Sequence, residues 1–224
     1  MKKLILLAFA LIANVFADEW QELVCGDKSL SYCINHYNKQ CKAKNYNACG
    51  VVGDLYRVQR QYSEAKKYLE MVCDKANSKD SFLVERIDGG MGDKVPTIIA
   101  MQLSCSNLGK FYYNGLGVRQ SYEKSLQYSK KACDLGNGDG CVLAGGVYLN
   151  GEGVKKDLKT ALKFFAKSCE LESGFGCAAL GALYYDGEGV KQNLPKAKEL
   201  YGKACDLGFQ KGCDEYKELK EKGY

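Results

Sequence analysis

Two kinds of side chain in this sequence stand at spacings that do chemistry, and the first are thiols. "CDLGNGDGC" (133–141), "CELESGFGC" (169–177) and "CDLGFQKGC" (205–213) each hold two cysteines eight positions apart, and the pairs recur every thirty-six residues. Such pairs bind metal, exchange disulfides or staple a fold. Zinc sites favour C-x2-C pairs or added histidines, and the chain has one histidine, His36. The thiol-exchange spacing C-x-x-C is absent. Staples are the reading left, and twelve cysteines, an even number, leave no thiol over to act as a nucleophile.

The second kind are hydroxyls beside ammonium groups. S-x-x-K places a serine nucleophile and a basic lysine one helical turn apart, the arrangement of serine β-lactamases and penicillin-binding enzymes. Ser63 with Lys66 and Ser121 with Lys124 fit it, but no Lys-Thr-Gly partner occurs. "YYN" (112–114) and "YLN" (148–150) imitate a further element of those enzymes, yet they recur with the repeat. Ser121 falls where the other repeats carry Asp157 and Asn193, neither able to serve as that nucleophile, so it is expected to cap a helix. Ser63 is placed in the first turn of a surface helix. No catalytic constellation emerges, and neither metal nor cofactor is expected.

Helices must position these groups. On the thirty-six-residue period, residues 105–140, 141–176 and 177–212 align. Equivalent positions keep Gly109, Gly145 and Gly181, then Tyr112, Tyr148 and Tyr184, then a Gly-x-Gly-Val, then Ser125, Ala161 and Ala197. Self-similarity at this period marks a helical solenoid. Each row predicts a first helix from the cysteine to the Gly-x-Gly, whose glycines stop it. A second helix is predicted from Ser121, Asp157 or Asn193 to the next cysteine, with Pro195 tolerated in the first turn. The mid-helix glycines are expected to face the small residue of the second helix. Pairing nearest neighbours gives Cys25–Cys33, Cys41–Cys49, Cys73–Cys105, Cys133–Cys141, Cys169–Cys177 and Cys205–Cys213, a connectivity that sequence alone does not fix. Each short bridge would clamp one repeat to the next and contribute about 2–3 kcal/mol in the loop-entropy model.

These rows resemble Sel1-like repeats, relatives of the tetratricopeptide repeat. With C-x7-C in successive repeats, the chain is similar to the Helicobacter cysteine-rich proteins, specifically over 105–213 and more loosely over 41–73. The resemblance implies an all-α right-handed α/α superhelix, or solenoid, of helix hairpins that each carry a disulfide. It also implies penicillin binding with weak β-lactamase activity, which some members are described as having. The amino-terminal half departs from the pattern. Residues 18–48 are expected to form capping helices and 49–80 a tetratricopeptide-like repeat. Residues 81–104 are either an insertion or a degenerate repeat that lost its cysteine at Ser81, with "DGGMGDKVP" (88–96) a loop and 97–104 a helix leading into the next repeat. Residues 213–224 form a carboxy-terminal cap.

"MKKLILLAFALIANVFA" reads as a signal peptide of residues 1–17, cleaved after Ala17. Export to the periplasm or beyond agrees with the cysteine count, and the expected partners include the periplasmic disulfide-forming machinery. Removing Lys2 and Lys3 lowers the net charge from +5 to +3, which favours neither nucleic acid nor an anionic membrane, and no later segment predicts a membrane span. A monomer is expected. In tetratricopeptide-like solenoids the first helices line a groove for extended peptides. By spacing from the repeat glycines, Asp54, Arg57, Lys110, Tyr113, Leu149 and Tyr185 are the candidate lining. A peptide or peptidoglycan fragment suits this mixture, and a β-lactam mimics the D-Ala-D-Ala end of such a fragment. A secreted protein recognised by host cells is the further alternative.

Overall fold

Polar caps and Gly-x-Gly stops cut the chain into short helices of nearly one length. The structure is a computed structural model that describes Cys25, residues 28–75 and residues 97–224. Its helices are α1 (Leu30–Lys42), α2 (Tyr46–Val58), α3 (Tyr62–Lys75), α4 (Thr97–Asn114) and α5 (Tyr122–Asp134). They continue with α6 (Gly138–Asn150), α7 (Leu158–Glu170), α8 (Gly174–Asp186), α9 (Leu194–Asp206) and α10 (Gln210–Glu221). The fold is all-α, and no strand occurs among the described residues. Two compact units divide it. The first holds α1–α3, the part of α4 up to Asn107, and Leu116–Val118; the second holds Leu108–Gly115 and Arg119–Tyr224. The expected signal peptide, the loop at 88–96 and Ser81 lie outside the described residues. The helix expected at 97–104 is the beginning of α4, continuous with the first helix of the next repeat.

Caps set where the helices start. Ser121, Asp157 and Asn193 begin α5, α7 and α9, accepting backbone bonds from Lys124 (3.3 Å), Thr160 (3.0 Å) and Lys196 (3.0 Å). The first helices start three residues earlier than the expected cysteine. Asn137 and Ser173 cap them, accepting from the Gly140 and Gly176 N–H groups at 2.8 and 3.3 Å. The turn between two bridged cysteines thus contains its own cap, and the second cysteine sits inside the helix. At the corresponding place before α10 stands Phe209, which makes no side-chain cap bond. Giving up such a cap costs about 1 kcal/mol.

The Asp157 cap responds to acid. Thr160 donates its hydroxyl at 2.6 Å and its backbone N–H at 3.0 Å to this carboxylate. These bonds, the side-chain one first, hold the Asp157 carboxyl below its ordinary value of 3.8. A carboxylate with a depressed folded value stabilises fully above the unfolded value, and loses that contribution as pH falls through the folded one. Asp157→Asn keeps an acceptor that cannot titrate, so its unfolding midpoint in urea should fall less between pH 5 and pH 2 than that of the parent. Parallel acid profiles would refute this.

Close helix contacts follow the glycines, with one correction to the expected partner. A Cβ on Gly145 would lie 2.8 Å from the Phe165 ring, and one on Gly181 3.0 Å from that of Tyr201. One on Gly109 would lie 2.5 Å from Ser129 Oγ. Each glycine therefore meets most closely the residue one helical turn beyond Ser125, Ala161 or Ala197, while a Cβ on Gly181 would also reach the expected residue, 3.4 Å from the Ala197 carbonyl oxygen. Ring stacking closes the other end of the pair: Tyr112 on Tyr128 at 5.6 Å and Tyr148 on Phe164 at 5.8 Å between centroids. Successive repeats touch through the Gly-x-Gly loop. Gly151 and Gly153 both take positive φ (74° and 69°), which a side chain resists. A Cβ on Gly153 would also sit 2.8 Å from Cβ of Tyr122, at the start of the preceding second helix.

Six disulfides complete the framework. Cys25 is joined to Cys33, Cys41 to Cys49, Cys73 to Cys105, Cys133 to Cys141, Cys169 to Cys177 and Cys205 to Cys213. No cysteine is free. From Cys41 onward, each bridge ties the end of one helix to the next helix, in its early part except at Cys105, which stands in the middle of α4. Helix α1 is held at both ends, at Cys33 and at Cys41. Such bridges belong to an oxidising compartment. No helix of the described residues is long and apolar enough to cross a membrane.

Candidate functional site

In the second unit, the first-helix residues just after the repeat glycine are Lys110, Gly146 and Ala182, and three positions further on are Tyr113, Leu149 and Tyr185. All six are partly exposed. The second-helix side is filled by other residues, among them Val147 and Leu183. A Cβ on Gly146 would meet nothing within 4 Å. This face thus combines small residues with half-exposed aromatic and aliphatic groups. Leu149 rests against the core that contains Phe165 and Leu180. Tyr185 rests against that of Ala197, Tyr201 and Leu219. Packing fixes the bodies of both side chains and leaves an edge to solvent.

Charged and polar groups frame one end. Lys110 Nζ meets Asp139 Oδ2 of the next first helix at 2.9 Å. Tyr113 donates its hydroxyl to Glu152 Oε1 at 3.1 Å and meets the Tyr122 ring edge-on at 5.4 Å. Burial, and then the bond to Glu152, push the Tyr113 phenol above its ordinary value, so it stays a neutral donor near neutral pH. Lys110 and Tyr113 are therefore oriented across the repeat boundary. Helical spacing located both residues but missed Asp139 and Glu152, whose role depends on how adjacent repeats stack.

The first-unit candidates stand differently. Asp54 does not line an open face: it is buried, with 7% exposure. It accepts from Arg57 Nε at 2.7 Å and from Asn107 Nδ2 at 3.1 Å. A carboxylate placed at a groove position is here turned inward, because a cation and an amide satisfy it. Arg57 serves this structural bond and is partly exposed.

Neither serine–lysine pair is assembled for attack. Ser121 Oγ is engaged as the α5 cap, while Lys124 Nζ lies over the Tyr112 ring at 5.1 Å from its centroid. Ser63 donates to the Gly117 carbonyl at 3.4 Å, and Lys66 faces Glu70 at 3.6 Å. The one hydrogen bond within either pair is the cap bond from the Lys124 backbone N–H to Ser121, and neither lysine's ammonium group bonds its serine among the described residues. His36 bonds Gln40 at 3.0 Å and stacks on Tyr32. No group of three or more metal-ligating side chains occurs among the described residues.

The family description "Sel1 repeat" matches residues 49–77, 102–137, 139–173 and 175–209. Among solved structures, the chain is similar to a Sel1 repeat protein from Oxalobacter formigenes, at 20% identity and a TM-score of 0.59. That match covers 75% of this chain and 59% of the other. It is similar to c5321, a protective antigen of uropathogenic Escherichia coli strains displaying an SLR fold, at 19% identity and a TM-score of 0.52, over 92% of this chain and 48% of that one. Both likenesses concern the fold alone, and this chain spans 59% and 48% of the lengths of those proteins. Helicobacter pylori cysteine rich protein B is 34% identical, with 50% of this chain and 95% of that chain covered and a TM-score of 0.42. No curated protein matches the chain.

Proposed function

The chain belongs to the Sel1 repeat family, in its cysteine-rich form, and from that premise we propose that it is a periplasmic or secreted binding module. Its ligand is a peptide or a peptidoglycan-type fragment, laid along the first-helix face of the second unit. The observation that carries this is the open space at Gly146, on the first-helix face where the repeat register also puts the partly exposed Lys110, Tyr113, Leu149 and Tyr185. Small residues admit a backbone; the half-exposed rings offer apolar contact with little rotamer freedom left to lose. The Lys110 ammonium supplies a counter-charge for a terminal carboxylate if Asp139 yields it, and the neutral Tyr113 hydroxyl supplies a donor. Sel1 repeats mediate protein interactions, which is in keeping with a binding role. β-Lactam hydrolysis, implied by the resemblance, lacks a paired nucleophile and base at Ser63 or Ser121.

The test is calorimetric titration of the oxidised chain with a stem peptide ending in D-Ala-D-Ala. Gly146→Trp fills the free space and Tyr185→Ala removes a contact ring; each is expected to weaken binding about tenfold or more, some 1.4 kcal/mol. An unchanged Kd in both variants, or no heat with the parent, refutes the assignment. In parallel, a chromogenic cephalosporin should be turned over no faster by the parent than by Ser63→Ala or Ser121→Ala. Turnover lost in one variant would establish a serine enzyme.

A further inference from the structure

The last of the six bridges is sheltered less than the others. Cys205 and Cys213 are both partly exposed, whereas the ten other cysteines are buried, at 8% exposure or less. The turn between them is open as well. Asp206, Leu207, Gly208, Gln210 and Lys211 are exposed, and a Cβ on Gly208 would meet nothing within 4 Å. At the two preceding turns Asn137 and Ser173 cap the helix that follows, while Phe209 leaves α10 without a side-chain cap bond. Of the twelve residues of α10, only Gly212 and Leu219 are buried.

Each of these features lowers the cost of opening α10 locally, since few buried groups and an uncapped start hold it. An external thiolate must reach one sulfur of a bridge to reduce it. The buried bridges deny that approach unless whole helices separate, and here a short local opening suffices. The two ends of the bridge also differ. Cys205 lies in the last turn of α9 and Cys213 at the end of the first turn of α10. The α10 N-terminus therefore stabilises a thiolate on Cys213, and the α9 C-terminus opposes one on Cys205. Exposed Lys203 and Lys211 are matched by exposed Asp206 and Asp214, which leaves that preference to the helices.

We propose that Cys205–Cys213 is a thiol-exchange site, at which an external dithiol of the C-x-x-C class opens this one bridge and frees α10. A thiolate of the dithiol attacks Cys205 Sγ, the S–S bond breaks, and Cys213 leaves as the thiolate. The second thiol of the dithiol then attacks the mixed disulfide and releases Cys205. Two electrons pass to the bridge, the two protons of the dithiol end on Cys205 and Cys213, and the dithiol becomes a disulfide. The reverse sequence closes the bridge again. A freed α10 takes Leu219 and Tyr216 away from the core of Ala197 and Tyr201, against which Tyr185 rests. The consequence for ligand binding rests on the first-helix face proposed above; the exchange itself does not.

The test treats the full oxidised chain with increasing dithiothreitol in the absence of denaturant, alkylates at each step and maps the labelled peptides. Cys205 and Cys213 should label about tenfold faster than any other cysteine. In the chain reduced at this bridge alone, amide exchange should accelerate across α10 while α5 to α8 stay protected. After brief exposure to glutathione and an acid quench, the adduct should sit on Cys205. Another bridge that opens first, several bridges that open together, or unchanged amide exchange in α10 overturns the proposal. An adduct on Cys213 overturns the direction of attack. A chain that labels in the expected order yet takes up no stem peptide would refute the first-helix reading and leave the exchange site standing.

Discussion

Gly140→Ala destabilises the second unit by about 2 kcal/mol, whereas Gly146→Ala on the same helix stabilises it by about 0.5–1 kcal/mol. Both replacements remove the same backbone freedom from the unfolded chain, and both improve helix propensity. They differ in what the new methyl meets. On Gly140 it would stand 2.6 Å from Cβ of Ala132, 2.9 Å from the Ser129 carbonyl oxygen and 3.0 Å from the Cys133 amide nitrogen. Two of these atoms are backbone of α5, so no side-chain rotation relieves the clash. Nor can the helices move apart freely, because Cys133 and Cys141 are bonded with their Cα atoms 4.6 Å apart. On Gly146 the methyl meets nothing within 4 Å. Urea midpoints of the two variants, at equal slope, decide the matter. Two shifts of the same sign would show that the glycine before the bridged cysteine is not a contact point. The same geometry recurs at Gly212, where a Cβ would lie 2.7 Å from that of Ala204.

That contact also marks the limit of what was legible in the sequence. Helix stops at the Gly-x-Gly and starts at Ser121, Asp157 and Asn193 follow from local rules, and a local rule repeated three times is hard to misread. The first-helix starts were missed by three residues because their caps, Asn137 and Ser173, lie inside the turn between two cysteines, where the thiols dominate the pattern. Gly145 faces Phe165 and not Ala161, since helices that cross at an angle match residues a turn apart from those that spacing alone aligns. The face that carries Lys110, Tyr113, Leu149 and Tyr185 was found from periodicity. What holds those groups was not, because Asp139 and Glu152 come from the next repeat. Asp54 shows the same limit more sharply: its partner Asn107 lies on a different helix, fifty-three positions away.

Replacing Cys73 and Cys105 together by alanine should cost more stability than the same change at Cys133 and Cys141, about 3.7 against about 2.6 kcal/mol in the loop-entropy model. The bridges are alike in the folded chain, with Cα atoms 5.0 and 4.6 Å apart. All four cysteines are fully buried, so the loss of apolar contact is similar at both sites. What differs is the loop each closes, thirty-two positions in one case and eight in the other. Freeing the longer loop gives the unfolded chain more entropy, and that term alone separates the variants. Denaturant midpoints of the two double variants, each with its remaining bridges intact, measure the difference. A larger loss at Cys133 and Cys141 would place the stabilisation in folded contacts across the repeat boundary, not in the unfolded chain. Full reduction extends the argument. In a stacked array, stability is a sum of repeat and neighbour terms, and five of the six bridges close the shortest kind of loop found here. Removing all six should therefore abolish cooperative unfolding at 37 °C. A reduced chain that still melts in one sharp transition would mean that the glycine contacts and stacked rings couple the repeats by themselves.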